Sequence, residues 1–175
     1  PRDRNGRTLA HLVRDDGLWI QGEMLRRGWA RVYTFPDNRA LAAEMLALEA
    51  EARAARRGIW ALPHYRIRDA GRLPGEPDAE GGFHLVRGVV HDVAEVRGTT
   101  YLNFGADWRT DFTVSLDSAA RRSFQAAGLD LAALEGRELL VRGWIRSRNG
   151  PMIEATHPEQ LTADPALVRP GQEGP

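Results

Sequence analysis

Cysteine is absent from the 175 residues of this chain. The sequence therefore excludes disulfide bonds and thiolate metal sites, and it leaves the redox compartment unconstrained. Histidine is scarce as well. The five histidines, at positions 11, 64, 84, 91 and 157, show none of the short spacings that are typical of zinc ligands, so no histidine metal site is predicted.

Lysine is also absent, because all 24 basic residues are arginine. Such a bias indicates the base composition of the genome more directly than it indicates function, so we do not count every arginine as a phosphate ligand. The net charge is zero, but residues 1–72 hold 14 arginines against 9 acidic residues, while residues 73–175 hold 10 against 15. A basic first half suits a phosphate-binding role, although a solvated surface gives the same sum.

No stretch of these residues has the pattern of a signal peptide, and none is a hydrophobic run long enough to cross a membrane. Its first residue is Pro1, not methionine, and we expect it to be a fragment of a longer protein. With 175 residues and a hydrophobic share of 42%, there is room for one ordinary domain or two small ones.

The stretch 3–10 carries the first chemical signal. Asn5-Gly6 is a two-residue turn signal, and residues 7–13 are predicted to leave that turn as a strand. This places Arg7 on a rigid element, where a planar guanidinium suits bidentate capture of phosphate oxygens. The alternative is an ordinary arginine in a surface hairpin.

A second turn is predicted at Asp15-Asp16-Gly17, between apolar runs. Two adjacent aspartates also suggest a metal site, but Asp-Gly in this setting is typical of a hairpin turn. Residues 21–27 then predict a short helix that ends at Gly28.

Residues 31–35 are predicted to be extended, which puts Tyr33 and Phe35 on one face as a base-stacking platform or as part of a core. Residues 39–57 predict the longest helix, ended by Gly58. Its charged residues are assigned to a solvated face. Its predicted buried stripe consists of Leu41, Met45, Leu48, Ala52 and Ala55.

Three blocks of the first 62 residues carry a family resemblance. They are Asp-Arg-Asn-Gly-Arg-Thr-Leu-Ala at 3–10, Gly-Glu-Met-Leu-Arg-Arg-Gly-Trp-Ala-Arg-Val-Tyr at 22–33 and Leu-Glu-Ala-Glu-Ala-Arg-Ala-Ala-Arg-Arg-Gly-Ile-Trp at 48–60. In order and spacing they resemble the second half of the staphylococcal-nuclease (thermonuclease) domain.

The resemblance implies a five-stranded OB-type barrel that hydrolyses DNA and RNA phosphodiesters with Ca²⁺. By the motif, Arg7 is similar to the second of the family's two arginines. Tyr33 and Phe35 fall where the family presents aromatic rings to the nucleotide, and Arg4 is a further candidate contact to nucleic acid. The resemblance also implies a bacterial exported or envelope protein.

The chain departs from the family at its start, because the metal-binding aspartates, the first arginine and the general-base glutamate of the family all lie upstream of the block at 3–10. We therefore expect no Ca²⁺ ligands within this chain. Since a barrel without its N-terminal strands exposes sheet edges and apolar surface, we expect an N-terminal fragment or a second chain to complete it.

Residues 63–82 are rich in proline, glycine and charge, and they predict a linker between domains. The region 83–162 then predicts three strands, a helix and two strands, which is the order of an OB-fold. It resembles the OB-type modules that are appended to some bacterial nucleases. Residues 163–175 predict a disordered tail. The predicted fold class is therefore mainly β with helices (α+β): an incomplete staphylococcal-nuclease-like barrel and a second OB-fold.

Two sets of side chains in the second domain are candidates for binding single-stranded nucleic acid. Tyr101 and Asn103 share one face of a strand, and Trp108-Arg109 follows in the next loop. The second set, on the fourth strand, consists of Arg142, Trp144 and Arg146. A structural role for Trp144 in the core is the alternative. His91-Asp92 is assigned to structure, because neighbours on a strand point to opposite faces.

Three functions follow from these patterns. The first is a Ca²⁺-dependent phosphodiesterase that acts together with an upstream half. The second is a module that binds single-stranded nucleic acid without catalysis. The third is a protein-interaction scaffold that lacks the acidic catalytic cluster.

Overall fold

A computed structural model describes residues 6–162 and divides the chain into two compact units, residues 1–66 and 67–175. The described residues form an α+β structure with three helices and a mixed sheet of eight strands, compatible with a staphylococcal-nuclease or OB-type fold. The helices are α1 (Ile20–Arg26), α2 (Ala42–Ala54) and α3 (Ser118–Ala126). The strands are β1 (Arg68–Asp69), β2 (Phe83–Val89), β3 (Asp92–Val96), β4 (Thr99–Asn103), β5 (Thr113–Leu116), β6 (Glu138–Ser147), β7 (Pro151–Glu154) and β8 (Leu161–Thr162).

The predicted turn at Asp15-Asp16-Gly17 is confirmed. The N–H of Gly17 donates to the carbonyl of Arg14 at 2.8 Å, and Val13 forms an antiparallel bridge with Trp19. Asp16 is held by the guanidinium of Arg14 and by the N–H of Leu18. This side chain therefore serves the turn. The predicted strand at 7–13 contains only isolated bridges in the described residues.

Two glycines join the ends of α1 and α2. Gly28 and Gly58 both have positive φ. Gly28 ends α1 as predicted, whereas α2 ends earlier than predicted, at Ala54, and Arg56, with a φ of 50°, takes the left-handed position predicted for Gly58. The N–H of Ile59 donates to the carbonyl of Gly28 at 2.8 Å, and a Cβ on either glycine would lie 2.2 Å from a backbone oxygen of the other segment. Only glycine allows this approach, which explains the glycine at both positions.

The buried face of α2 differs from the prediction. The helix buries Ala42, Glu49 and Ala52, whereas Leu41 and Ala55 are exposed. The cause is a polar contact, because the carboxylate of Glu49 accepts a hydrogen bond from the N–H of Val32 at 2.6 Å. A charged-acceptor bond of this kind orients the helix in place of an apolar stripe.

Burial alternates along the segment 31–35, as it does in an extended chain. Val32 and Thr34 are buried, whereas Tyr33 and Phe35 are exposed. It forms no ladder with another described strand, and only Phe35 makes an isolated bridge, to Asn38. Backbone groups of an extended segment become a strand only when a neighbour pairs with them. The prediction of a shared face for Tyr33 and Phe35 is confirmed, since their rings pack edge to face at 4.7 Å.

The sheet of the second unit closes through a bend between β2 and β3, at residues 90 and 91. Along this sheet β2 pairs with β6, β6 with β7, β7 with β5 in parallel, β5 with β4, and β4 with β3. Because β2 and β3 are nearly continuous in the chain, the path returns to its start, as in a small Greek-key barrel. Helix α3 lies between β5 and β6 in sequence and is capped by Asp117, which accepts from the N–H of Ala120 at 2.8 Å.

The core of this second unit is one apolar cluster formed by inward positions of the strands and the buried face of α3. Alternation of apolar and polar residues along each strand places these side chains inside. Its largest fully buried members are Leu73, Leu102, Phe112, Leu116, Phe124, Ile145 and Ile153.

Residues 67–82, which the sequence assigned to a linker, belong to the second unit in the structure. Strand β1 pairs in parallel with β2, and the side chain of Arg68 is fully buried. Arg68 forms ion pairs with Glu76 and with Asp78, the latter at 2.9 Å, and its Nε donates to Nδ1 of His84 at 3.2 Å. Burial alone would lower the pKa of Arg68, but the hydrogen bonds to Asp78 and Glu76 raise it above its usual value. This buried ion group attaches the segment 67–82 to the barrel.

Candidate nucleic-acid interface

A groove on the second unit brings together three of the predicted site residues, Tyr101, Asn103 and Trp108. The groove has a volume of about 390 Å³, within the usual range of ligand sites. Strands β3, β4 and β5 supply one side, and the turn between β6 and β7 supplies the other. Its other lining residues are Asp92, Ala94, Val96, Thr113, Arg148, Asn149 and Met152.

Trp108 is the main aromatic surface of this groove. Its side chain is 49% exposed, and the guanidinium of Arg109 lies 4.6 Å from the centroid of the indole ring. A cation stacked on an aromatic ring stabilises its position. One face of the indole is thereby covered by Arg109, and the ring itself lines the groove.

The loop that carries Trp108 is fixed by hydrogen bonds. The N–H of Asp107 donates to the carboxylate of Asp111 at 2.9 Å, and the N–H of Arg109 donates to the carboxylate of Asp107 at 3.1 Å. Gly150 packs against this loop so closely that a Cβ there would lie 2.5 Å from the carbonyl oxygen of Thr110. The two loops at this end of the barrel therefore form one ordered wall.

A chain of hydrogen bonds forms the floor of the groove. The hydroxyl of Thr113 donates to Oδ1 of Asn103 at 3.3 Å, and Nδ2 of Asn103 donates to Oδ2 of Asp92 at 3.1 Å. Thr113 and Asn103 are buried, while Asp92 is exposed to the groove. The buried pair fixes the orientation of the carboxylate at the surface.

The sequence did not identify seven of the residues that line the groove, namely Asp92, Ala94, Val96, Thr113, Arg148, Asn149 and Met152. Asp92 faces Asn103 directly across the antiparallel pair β3 and β4. A signal was present, because the turn at Arg97-Gly98 sets that register and places residue 92 opposite residue 103. Arg148 and Asn149 belong to a recognisable hairpin turn, but its position beside the groove depends on the closure of the whole barrel.

The second predicted set lies outside this groove. Arg142 is buried, with 2% of its surface exposed, and it does not line the groove. Trp144 is 50% exposed and packs against Phe83 at 6.1 Å between ring centroids, and Arg146 is exposed beside Glu154 at 3.2 Å. The strand therefore presents one exposed aromatic ring and one ion-paired arginine to solvent.

The first unit places its candidate residues at the surface. Arg7 is exposed, directly after Gly6, which has a positive φ as the predicted turn requires. Tyr33 and Phe35 are nearly half exposed and in mutual contact. Arg4 lies outside the described residues.

No three acidic or histidine side chains among residues 6–162 form a group that could hold a metal ion. In the same range, no helix is long and apolar enough to cross a membrane.

Comparison with known proteins bears mainly on the first unit. The family model described as staphylococcal nuclease homologue matches residues 1–62. No curated protein matches the chain. Among solved structures 23 chains match, one of which is described as "OBody AM1L10 bound to hen egg-white lysozyme", with 17% identity and a TM-score of 0.35, covering 49% of this chain and 86% of that one. Residues 1–62 of this chain are therefore similar to the family described as staphylococcal nuclease homologue, and this similarity suggests a nuclease-like or nucleic-acid-binding role.

Proposed function

We propose that the protein acts on nucleic acid and that the groove of its second unit binds a single strand. The observation that carries this proposal is the half-exposed Trp108, backed by Arg109, in the same groove as Tyr101 and Asn103. An aromatic ring in an open groove with arginine at its margin is the usual arrangement for binding unpaired bases. The nuclease-family segment at residues 1–62 supports a nucleic-acid partner independently.

Each part of the groove has a role in this proposal. A base stacks on the face of Trp108 that Arg109 leaves open. Arg148, exposed on the turn between β6 and β7, neutralises a neighbouring phosphate. Because a base must be unstacked from its neighbours to reach the ring, the groove favours a single strand over a duplex.

The test compares two tryptophans of equal exposure. Binding of a fluorescently labelled single-stranded oligonucleotide to the full chain is measured by anisotropy at fixed salt, for Trp108→Ala and for Trp144→Ala. Loss of one base stack costs about 1–3 kcal/mol, so Trp108→Ala should weaken binding about tenfold or more. Trp144→Ala, which removes a ring outside the groove, should leave the affinity within about a factor of two.

Equal effects of the two substitutions would refute the assignment of the strand to this groove. A duplex bound as tightly as the single strand would refute the preference for unpaired bases. Circular dichroism of both variants controls for folding.

A second candidate function follows from the family match. We propose that the parent protein hydrolyses DNA or RNA phosphodiester bonds, with Arg7 binding the phosphate and stabilising the charge that develops on it. Ca²⁺, implied by the resemblance, would be held by carboxylates upstream of this chain. An N-terminal fragment or a second chain that completes the barrel is part of the same proposal, and an exported or envelope location remains a prediction.

The exposed apolar side chains of the first unit support a completing partner, since Leu12, Val13 and Trp29 are each more than half exposed. Native mass spectrometry tests this part of the proposal. A folded species of 19.5 kDa alone, the mass of one chain, would count against a second chain or fragment.

Arg7→Lys tests the catalytic part. Lysine keeps the charge but not the planar pair of donors, so in a protein with both halves of the nuclease domain the chemical step should slow about a hundredfold, with little change in substrate binding. The control is Arg66→Lys, an exposed arginine of the same unit outside the matched segment. Equal cleavage rates for wild type and Arg7→Lys would exclude Arg7 from the site and favour the non-catalytic binding or scaffold role.

A further inference from the structure

The groove carries a carboxylate, Asp92, on its floor. Oδ2 of Asp92 accepts a hydrogen bond from Nδ2 of Asn103 at 3.1 Å. Its Oδ1 receives no hydrogen bond from any residue between 6 and 162 and lies at an exposed position in the groove. The floor of the groove therefore presents to a ligand a strong hydrogen-bond acceptor, the carboxylate of Asp92, and not a donor.

A carboxylate repels the phosphates of a nucleic acid, so Asp92 cannot serve the backbone. Its usable partners are N–H groups, and a base that stacks on Trp108 presents such groups along its edge. In the floor of the groove, Thr113 donates a hydrogen bond to Asn103, and Asn103 donates one to the carboxylate of Asp92. The carboxylate of Asp92 can still accept further hydrogen bonds from a ligand in the groove.

The four bases differ in what they offer to a carboxylate. Guanine has two adjacent donors, N1–H and the N2 amino group, which match the two oxygens of a carboxylate. Adenine and cytosine offer one amino group beside a ring nitrogen that is itself an acceptor. Thymine and uracil offer one N–H between two carbonyl oxygens. Only guanine pairs with a carboxylate without placing an acceptor against it.

We infer that the groove selects guanine in a single strand and that Asp92 is the specificity-determining residue. This inference rests on the proposed function, since it names the base that the same groove takes. Asn103 and Thr113 are positioning residues, because they are buried and form the chain of hydrogen bonds that orients Asp92. Arg148 keeps the phosphate of the selected nucleotide near the groove in spite of the negative charge of Asp92.

The experiment uses the full chain and two short oligonucleotides, an oligothymidine and the same strand with a single central guanosine. A well-made bidentate pair discriminates by roughly 1–3 kcal/mol, so the guanosine strand should bind about tenfold tighter. Asp92→Asn replaces one of the two acceptor oxygens by an amino group at almost constant shape. It should lower the affinity for the guanosine strand by about the same factor and leave the oligothymidine unchanged or slightly tighter.

The matched control is Glu138→Gln, which also replaces a carboxylate by an amide, at an exposed position of β6 that does not line the groove. It should leave the ratio of the two affinities unchanged. A purely structural role of Asp92 would weaken both strands together, whereas guanine selection by Asp92 requires a change in their ratio.

The outcomes separate this inference from the function on which it depends. If neither strand binds, the proposed function is refuted and the inference with it. If both strands bind equally well, binding stands and guanine selection is refuted. Ribose versions of both strands complete the design, because a preference for guanosine in RNA alone would mean that selection needs the 2′-hydroxyl as well as the base, which overturns selection by the pairing of guanine with Asp92.

Discussion

The two units bury their apolar side chains to very different extents. In the second unit, apolar residues from Ala70 to Leu161 form one continuous core. In the described part of the first unit, eight large apolar side chains are exposed. They are Leu12, Val13, Met24, Trp29, Tyr33, Phe35, Leu41 and Leu62. The first unit is held together instead by local turns, by the contact between Gly28 and Gly58, and by the buried carboxylate of Glu49.

This difference has a topological cause. Strand ladders of the second unit pair residues far apart in sequence, such as Phe83 with Trp144, and thereby enclose a common interior. Within residues 6–66 the structure has two α-helices and isolated bridges but no strand ladder. Contacts between distant residues, such as Gly28 with Ile59 and Val32 with Glu49, join the helices without enclosing a continuous apolar interior. A segment of this kind presents apolar surface outward, as expected if further strands or another chain pack on it.

The largest expected contrast comes from one phenylalanine in each unit. Phe112 is fully buried and packs against Phe104 at 5.0 Å, so Phe112→Ala should destabilise the second unit by about 3–5 kcal/mol. Phe35 is nearly half exposed and has one ring contact, so Phe35→Ala should cost about 1 kcal/mol or less. Urea denaturation measures both. Equal costs would mean that Phe35 belongs to a core and that the two units do not differ in burial.

A smaller contrast is expected between the buried ions of the two units. Arg68→Ala removes the partner of Glu76 and Asp78 and opens a void beside β2, so the second unit should lose about 3 kcal/mol. Because Asp78 is largely exposed, water can solvate its carboxylate in the variant. The expected loss of stability is therefore at the lower end of the range for buried ion pairs. Glu49→Gln in the first unit keeps the shape and loses only charge, so about 1 kcal/mol is expected.

Arg68→Met is the control for packing, because it keeps an apolar stem of similar length. If Arg68→Met lowers stability as much as Arg68→Ala does, the destabilisation comes from the lost ion pairs and not from lost packing. Full stability of both variants would contradict the role of Arg68 in attaching residues 67–82 to the barrel.

The smallest effect concerns the exposed turn of the first unit. The guanidinium of Arg14 lowers the pKa of Asp16 below its usual value, with help from the N–H of Leu18. Because the folded-state pKa is depressed, this contribution to stability is present above the ordinary aspartate pKa of about 4 and is lost as the pH falls through the folded value. An NMR titration of the Asp16 carboxyl measures it. Arg14→Ala should raise the midpoint, and an unchanged midpoint would contradict the pairing.

Local patterns in the sequence predicted much of the second unit. The predicted order of strands and a helix over 83–162 is largely found, since such signals involve only neighbouring residues. The first predicted strand, 85–96, is divided in the structure into β2 and β3, which pair with different strands. The burial of Arg68 was not predictable, because its partners Glu76 and Asp78 meet it only after β1 pairs with β2.

The groove was predictable in part for the same reason. Tyr101, Asn103 and Trp108 were identified because aromatic and amide side chains on one strand face and its loop are visible in the sequence. Asp92 was assigned to structure and Arg148 was missed, since their places depend on the pairing of β3 with β4 and on the closure of the barrel. For α2, periodicity predicted an apolar stripe, and a single hydrogen bond from Val32 to Glu49 decided the buried face instead.

Photo-crosslinking can locate a single strand bound in the groove beside Trp108. A single-stranded oligonucleotide that carries a photoreactive base is irradiated with the full chain, and the cross-linked peptides are identified by mass spectrometry. We expect cross-links to Trp108 or Tyr101, and their loss when unlabelled single strand competes. Cross-links confined to Trp144 or to the first unit, with none at Trp108 or Tyr101, would contradict binding in the groove.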